Sequence, residues 1–180
     1  MSIEEQNLFM RYSKNSQFYD LYMVALGTGM RNGELRALQW ADIDFDNKII
    51  HVNGTLKYIA KAKVKYMIDE PKSETSKRDI PMLDNLVFTG SFGRCISENA
   101  LYQDMKKIIV QIREDGHTFG EHTPHSLRHT FATRGFERGI PPKVMQEILG
   151  HKSITMTLDI YSHVLPDKKA EEINKLAAMF

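Results

Sequence analysis

A single cysteine, Cys95, permits no internal disulfide, which removes the stapled secreted domain as a class. No apolar run approaches the roughly 20 residues that cross a bilayer, and no signal-peptide pattern is visible. A cytoplasmic protein that avoids the membrane is therefore expected. Motifs for zinc, such as His-Glu-x-x-His or paired cysteines, are missing as well. Nor does one charge dominate: 24 Lys and Arg against 23 Asp and Glu leave a formal +1, so there is no global basic signature of a nucleic-acid binder. What remains is ordinary for a globular chain. At 180 residues, 42% hydrophobic and 26% charged, it suits one domain with a sizeable core.

The hydrophobic pattern is mostly helical. Ser2 with Glu5 three residues on predicts a capped first helix. A second is expected to open at Ser16, with Phe18, Leu21, Tyr22, Ala25 and Leu26 on one face, and to end at Gly27 and Gly29. Asn32 is the expected cap of a short helix through Leu38. From Ile43 to Pro81 the pattern turns to strands, with turn signals at Asp46-Asn47 and Asn53-Gly54, so a small antiparallel sheet is predicted. Further helices are expected from Ser97, with Leu101, Met105, Ile108, Ile109 and Ile112 inward, and over 125–138, 142–149, 153–161 and 167–180. Between Asn85 and Leu86 the chain passes from one extended segment to the next with almost no connection, as though a linking segment were missing there.

Charge is uneven locally. Lys57, Lys61, Lys63, Lys65, Lys72, Lys77 and Arg78 face only Asp69, Glu70 and Glu74, giving this stretch +4 and making its cations candidates for phosphate contact. Elsewhere a set of groups suits one task, stabilising a phosphoryl transition state around a tyrosine. Arg31, at the bend of Gly-Met-Arg-Asn-Gly-Glu-Leu, and Arg128, three residues after His125 on the same helical face, can clamp one phosphate through their planar forks. Tyr161, ten residues after His151, is the candidate nucleophile. A free phenol titrates near 10 and needs help at neutral pH. His125 could supply the base, His151 a hydrogen bond to the phosphate, and Lys72, on a turn between strands, the proton for the leaving oxygen. Singly each has a bland explanation as a helix tyrosine, a satisfied histidine or a salt-bridged arginine. Together, at these spacings, they are hard to meet by chance.

Gly29-Met30-Arg31-Asn32-Gly33-Glu34-Leu35, Lys72 to Pro81, His125-Ser126-Leu127-Arg128-His129-Thr130-Phe131-Ala132-Thr133, Leu149-Gly150-His151 and Tyr161-Ser162-His163 resemble the tyrosine recombinase family, over nearly the whole chain. That resemblance implies an α+β fold, mainly helical with a small antiparallel sheet. It also implies Arg31, Lys72, His125, Arg128, His151 and Tyr161 as the active-site set, Glu34 as their support, and integrase chemistry through a 3′-phosphotyrosine with no cofactor or metal. Expected partners are double-stranded DNA in a C-shaped clamp, a homotetramer on synapsed DNA exchanging C-terminal helices, and accessory DNA-bending or directionality factors. Residues 1–180 are expected to be the catalytic domain, without the family's N-terminal DNA-binding domain. The strand region between Ile49 and Glu70 favours the integrases of phages and conjugative transposons.

Three other assignments fit the residues less well. A metal site at His122, His125 and His129, or at Asp42, Asp44 and Asp46, lacks the required motif or converging carboxylates. A type IB topoisomerase shares the chemistry, but His125 at the head of His-x-x-Arg favours a recombinase. A silent DNA-binding accessory protein would not need the full residue set.

Overall fold

The computed structural model describes residues 1–60, 66–70, 74–82, 96–162 and 164. Helix α1 (Ile3–Tyr12) starts where the sequence places it: the Ser2 hydroxyl accepts from Glu5 N–H at 3.1 Å, and the Glu5 carboxylate accepts from Ser2 N–H at 2.8 Å. Helix α2 (Tyr19–Thr28) begins later than expected. Ser16 is extended, after a short 3-10 turn at Ser13–Asn15; its hydroxyl donates to Asp104 at 2.6 Å and accepts from Phe18 N–H at 3.0 Å, and Phe18 occupies the cap. Gly27 continues α2, and the stop is Gly29 at φ 64°. Helix α3 (Asn32–Ala37) is capped one residue earlier than the sequence suggests. The Glu34 carboxylate accepts from Arg31 N–H at 2.8 Å, so Arg31 rather than Asn32 occupies the cap.

The strands form two small antiparallel sheets instead of one. Strands β1 (Ile43–Asp44), β2 (Ile49–Val52) and β5 (Arg78–Pro81) pair in the order β1-β2-β5, with Ile50 opposite Ile80 and Val52 opposite Arg78. Strands β3 (Thr55–Tyr58) and β4 (Tyr66–Asp69) pair separately, Thr55 opposite Asp69. Because β1 and β5 occupy both edges of β2, the Asn53-Gly54 step cannot close a β2–β3 hairpin. It carries the chain from one sheet into the other.

Helix α4 (Glu98–Glu114) is capped by Ser97, whose hydroxyl accepts from Ala100 N–H, and buries the apolar face read from the sequence. Helices α5 (Pro124–Glu137), α6 (Pro142–Leu149) and α7 (Ile154–Ser162) complete the described chain. α1 to α4 and the larger sheet enclose one apolar core, centred on Phe9, Tyr22, Ile50, Ile80 and Leu101, and Leu127 of α5 belongs to it. A second cluster, Ala132, Phe136, Met145, Leu149 and Val164, joins α5 to α6 and α7. Helix α5 takes part in both clusters, so the candidate site lies at their seam. No described helix is long and apolar enough to cross a membrane. The expected helix from Asp167 and the junction at Asn85 and Leu86 lie outside the described residues.

Candidate active site

The last carbonyls of a helix have no partner within it and lie at the negative end of its dipole. At the end of α6 three successive carbonyls each accept from a different arginine. Ile148 O takes Arg78 Nε at 2.5 Å, Leu149 O takes Arg128 at 2.6 Å, and Gly150 O takes Arg31 at 2.6 Å. These arginines come from β5, α5 and the cap of α3, so the helix end gathers cations from distant stretches of sequence. Glycine is required at 150: φ is 63°, and a Cβ there would lie 2.8 Å from Thr75 O, against the turn leading into β5.

Two of these guanidiniums share one carboxylate. Glu34 accepts from Arg31 at 2.7 Å and from Arg78 through both oxygens, at 3.1 and 2.9 Å. Burial opposes the Glu34 charge, but Arg78 and then Arg31 outweigh it and hold its carboxyl below the usual range. The Arg78–Glu34 pair is nearly closed to solvent, with side chains 6% and 5% exposed. Removing one partner from such a pair leaves an uncompensated buried charge, so Glu34→Gln should cost about 3 kcal/mol of unfolding free energy. Urea denaturation at pH 7 measures this; a loss within 0.5 kcal/mol of zero, the range of ordinary surface changes, would mean the carboxylate does not hold the cluster.

Arg128 is 4% exposed, and it also donates to Gly29 O at 2.7 Å. Burial, with Arg31 adding to it, pushes its guanidinium down to about 9, so it remains charged at neutral pH. One turn away on α5, the rings of His125 and His129 meet edge to face at 4.8 Å. His125 is exposed. Partial desolvation, then His129, Arg128 and Arg31, push its pKa below the usual imidazole value.

His151 follows directly on the carbonyl cluster. Its N–H donates to Gln146 O and its carbonyl accepts from the Gln146 side chain, both at 3.1 Å, while Nδ1 lies 2.8 Å from Thr157 Oγ1 in a buried contact. Burial, then Arg128 and Arg31, push its pKa down to about 4. The sign follows from the unfolded chain, which takes up the proton near 6.5 while the folded chain resists it. Stability should be complete above pH 6.5 and fall on the way to pH 4, by on the order of 3 kcal/mol for this residue. Denaturation curves at pH 7 and pH 5 should differ in that direction, and His151→Gln should flatten part of the difference. A stability that rises on acidification through this range would contradict the burial of a neutral ring.

Tyr161 sits in the last turn of α7, half-buried, with its ring edge-on to Phe136 at 5.0 Å. Among the described residues it is tied to the cluster through α7, not by a direct hydrogen bond to an arginine or histidine. The structure thus groups Arg31, Arg128, His151 and Glu34 tightly, with His125 beside them on α5. Lys72, Lys61, Lys63 and Lys65 lie outside the described residues. Lys77 is exposed, and Lys57 is ion-paired with Asp69 across the small sheet.

Arg78 is a correction. Read as a DNA-facing cation, it instead points inward and is held by Glu34, Ile148 O and Ser76 O. Strand alternation carries the signal, since Arg78 lies two residues from buried Ile80 and shares its face. The candidate metal groups have other engagements: His122 meets Glu5 at 3.2 Å, Asp42 accepts from Gln39 N–H, and Asp44 accepts from Asn47 N–H. Nothing in the residue pattern points to Thr157 or to the three carbonyls.

Arg31, Arg78 and Arg128 stand against the Glu34 carboxylate in this cluster, and the pKa values of His125, His129 and His151 are all lowered in part by these arginines. An anion bound there would relieve each of them. Residues 3–168 match the phage integrase family. A tyrosine recombinase XerC-like protein of Caldanaerobacter subterraneus subsp. tengcongensis is 32% identical over 99% of this chain and 54% of its own length. The transposase from transposon Tn916 of Enterococcus faecalis is 30% identical over 92% of this chain and 46% of its own length. This chain spans about half the length of these curated relatives. Among solved structures, the Tn1549 transposon integrase in complex with transposon right end DNA superposes with a TM-score of 0.83 at 28% identity, covering 98% of this chain and 65% of that one.

Proposed function

The chain belongs to the phage integrase family, and on that premise we propose that it is the catalytic domain of a tyrosine-type site-specific DNA recombinase serving the integration and excision of a mobile element. Tyr161 Oη attacks the phosphorus of one strand, its proton passing to His125, which is neutral at pH 7. The bond between phosphorus and the 5′ oxygen breaks, leaving a 3′-phosphotyrosine, and Lys72 gives the departing oxygen its proton. Charge growing on the non-bridging oxygens is met by Arg31, Arg128 and His151, donors already fixed before the substrate arrives. Rejoining runs the same steps backwards with a new 5′ hydroxyl.

The observation that carries this reading is the set of three arginines on the carbonyls of Ile148, Leu149 and Gly150, where α6 ends immediately before His151. The geometry fits a phosphodiester because it keeps an excess of fixed positive charge in a partly dry site, where each donor is worth more than in water. Lys57, Lys61, Lys63, Lys65 and Lys77 follow the flanking DNA backbone. In the whole protein, four protomers on synapsed DNA exchange the helix expected from Asp167, accessory factors set direction, and the cytoplasm is the setting.

The test uses a pool of nicked suicide duplexes with randomised cores, incubated with the protein in EDTA. A covalent protein–DNA band is expected, and its sequenced DNA gives the target. No adduct with any duplex would overturn the proposal. Efficient relaxation of supercoiled plasmid by a lone protomer would replace it with a topoisomerase.

A further inference from the structure

Threonines inside helices usually turn their hydroxyl back to the carbonyl four residues earlier. Thr28 and Thr130 do so, donating to Val24 O at 2.6 Å and to Ser126 O at 2.8 Å. Thr157, with 0% of its surface exposed, instead meets His151 Nδ1 at 2.8 Å. It stands one helical turn before Tyr161 on α7, so the two share a face. We propose that Thr157 is the positioning residue that holds His151 in the tautomer whose Nε2 carries the proton, and so ties the phosphate-binding imidazole to the helix that bears the nucleophile.

The argument rests on the recombinase reading above and on counting protons. A neutral imidazole has one N–H, and the nitrogen left bare can only accept. Phosphate oxygens also only accept, so a histidine that donates to phosphate through Nε2 must leave Nδ1 bare. A buried bare nitrogen needs a donor, and the Thr157 hydroxyl supplies one at hydrogen-bond distance. Were the bond reversed, with Nδ1–H donating to Thr157, Nε2 would be bare and could offer the phosphate nothing. The histidine's main chain is already held by Gln146, so fixing Nδ1 leaves the ring little freedom to turn.

Three measurements test this. In the wild-type chain, nitrogen-15 NMR of the imidazoles at pH 7 should report His151 with its proton on Nε2; a proton on Nδ1 overturns the proposal. On a nicked duplex that the wild type cleaves, Thr157→Val should slow single-turnover cleavage about 10- to 100-fold, the usual cost of removing the partner that orients a functional histidine, at unchanged DNA affinity. Thr157→Ser keeps the hydroxyl and should restore most of the rate. In a His151→Ala background, Thr157→Val should have little further effect, because its role runs through the ring. A serine variant as slow as valine, or an undiminished valine effect without the histidine, would reduce Thr157 to packing. If Thr157→Val does not fold, the wild-type NMR result decides alone. Failure of the wild type to form any adduct would instead strike the recombinase reading and leave the tautomer assignment standing.

Discussion

Tyr161→Phe should abolish the covalent protein–DNA complex while leaving DNA affinity within about a factor of two, because the substitution removes one oxygen and little else. The ring packs edge-on against Phe136 at 5.0 Å, a contact that phenylalanine keeps. Phenylalanine has no group that can attack phosphorus, so the loss is complete and not graded, unlike the loss of a supporting donor. Denaturing gels of the trapped reaction read the adduct, and filter binding reads the affinity. An adduct that survives the substitution would remove Tyr161 from the chemistry.

The next largest effect separates the proton donor from the charge clamp. An alkoxide leaving group needs a proton, and losing a general acid typically costs about 10²–10⁴-fold in rate, so Lys72→Ala should cleave ordinary DNA that much more slowly. With the bridging 5′ oxygen replaced by sulfur the leaving group needs no proton, and the variant should cleave near the wild-type rate. Arg31→Ala should be slow on both substrates. Its guanidinium is held by Glu34 and Gly150 O, and in the proposed mechanism it meets charge on the non-bridging oxygens, which sulfur at the bridging position does not change. Rescue of a Lys77 variant, with Lys72→Ala still slow on the sulfur substrate, would move the acid from Lys72 to Lys77.

What could be read from the sequence were the features in which a side chain announces a local structure. Ser2 with Glu5, Ser97, and glycine after Leu149 mark helix ends because their chemistry meets unpaired backbone groups there, and all three hold. The spacing of His125 and Arg128 fixes their common helix for the same reason. The ends of α2 and α3 differ from the sequence pattern for two reasons: Ser16 makes a local turn with Phe18 N–H while donating to distant Asp104, and the Glu34 carboxylate caps at Arg31 N–H from within its own helix. The sheet divides in two because β5, 26 residues beyond the end of β2 in sequence (78 against 52), occupies its free edge, and nothing local to Asn53-Gly54 records that. The cluster on Ile148, Leu149 and Gly150 is least legible of all. Its acceptors are backbone carbonyls, which every residue has, and only the fold brings three arginines to them.

The most direct test is to digest the covalent complex and identify by mass spectrometry the residue that carries the DNA. The account predicts a single modified peptide, with a 3′-phosphate ester on Tyr161 formed in the presence of EDTA. A phosphate ester on another residue, such as exposed Tyr58 or Tyr102, or linkage through the 5′ end, would contradict it.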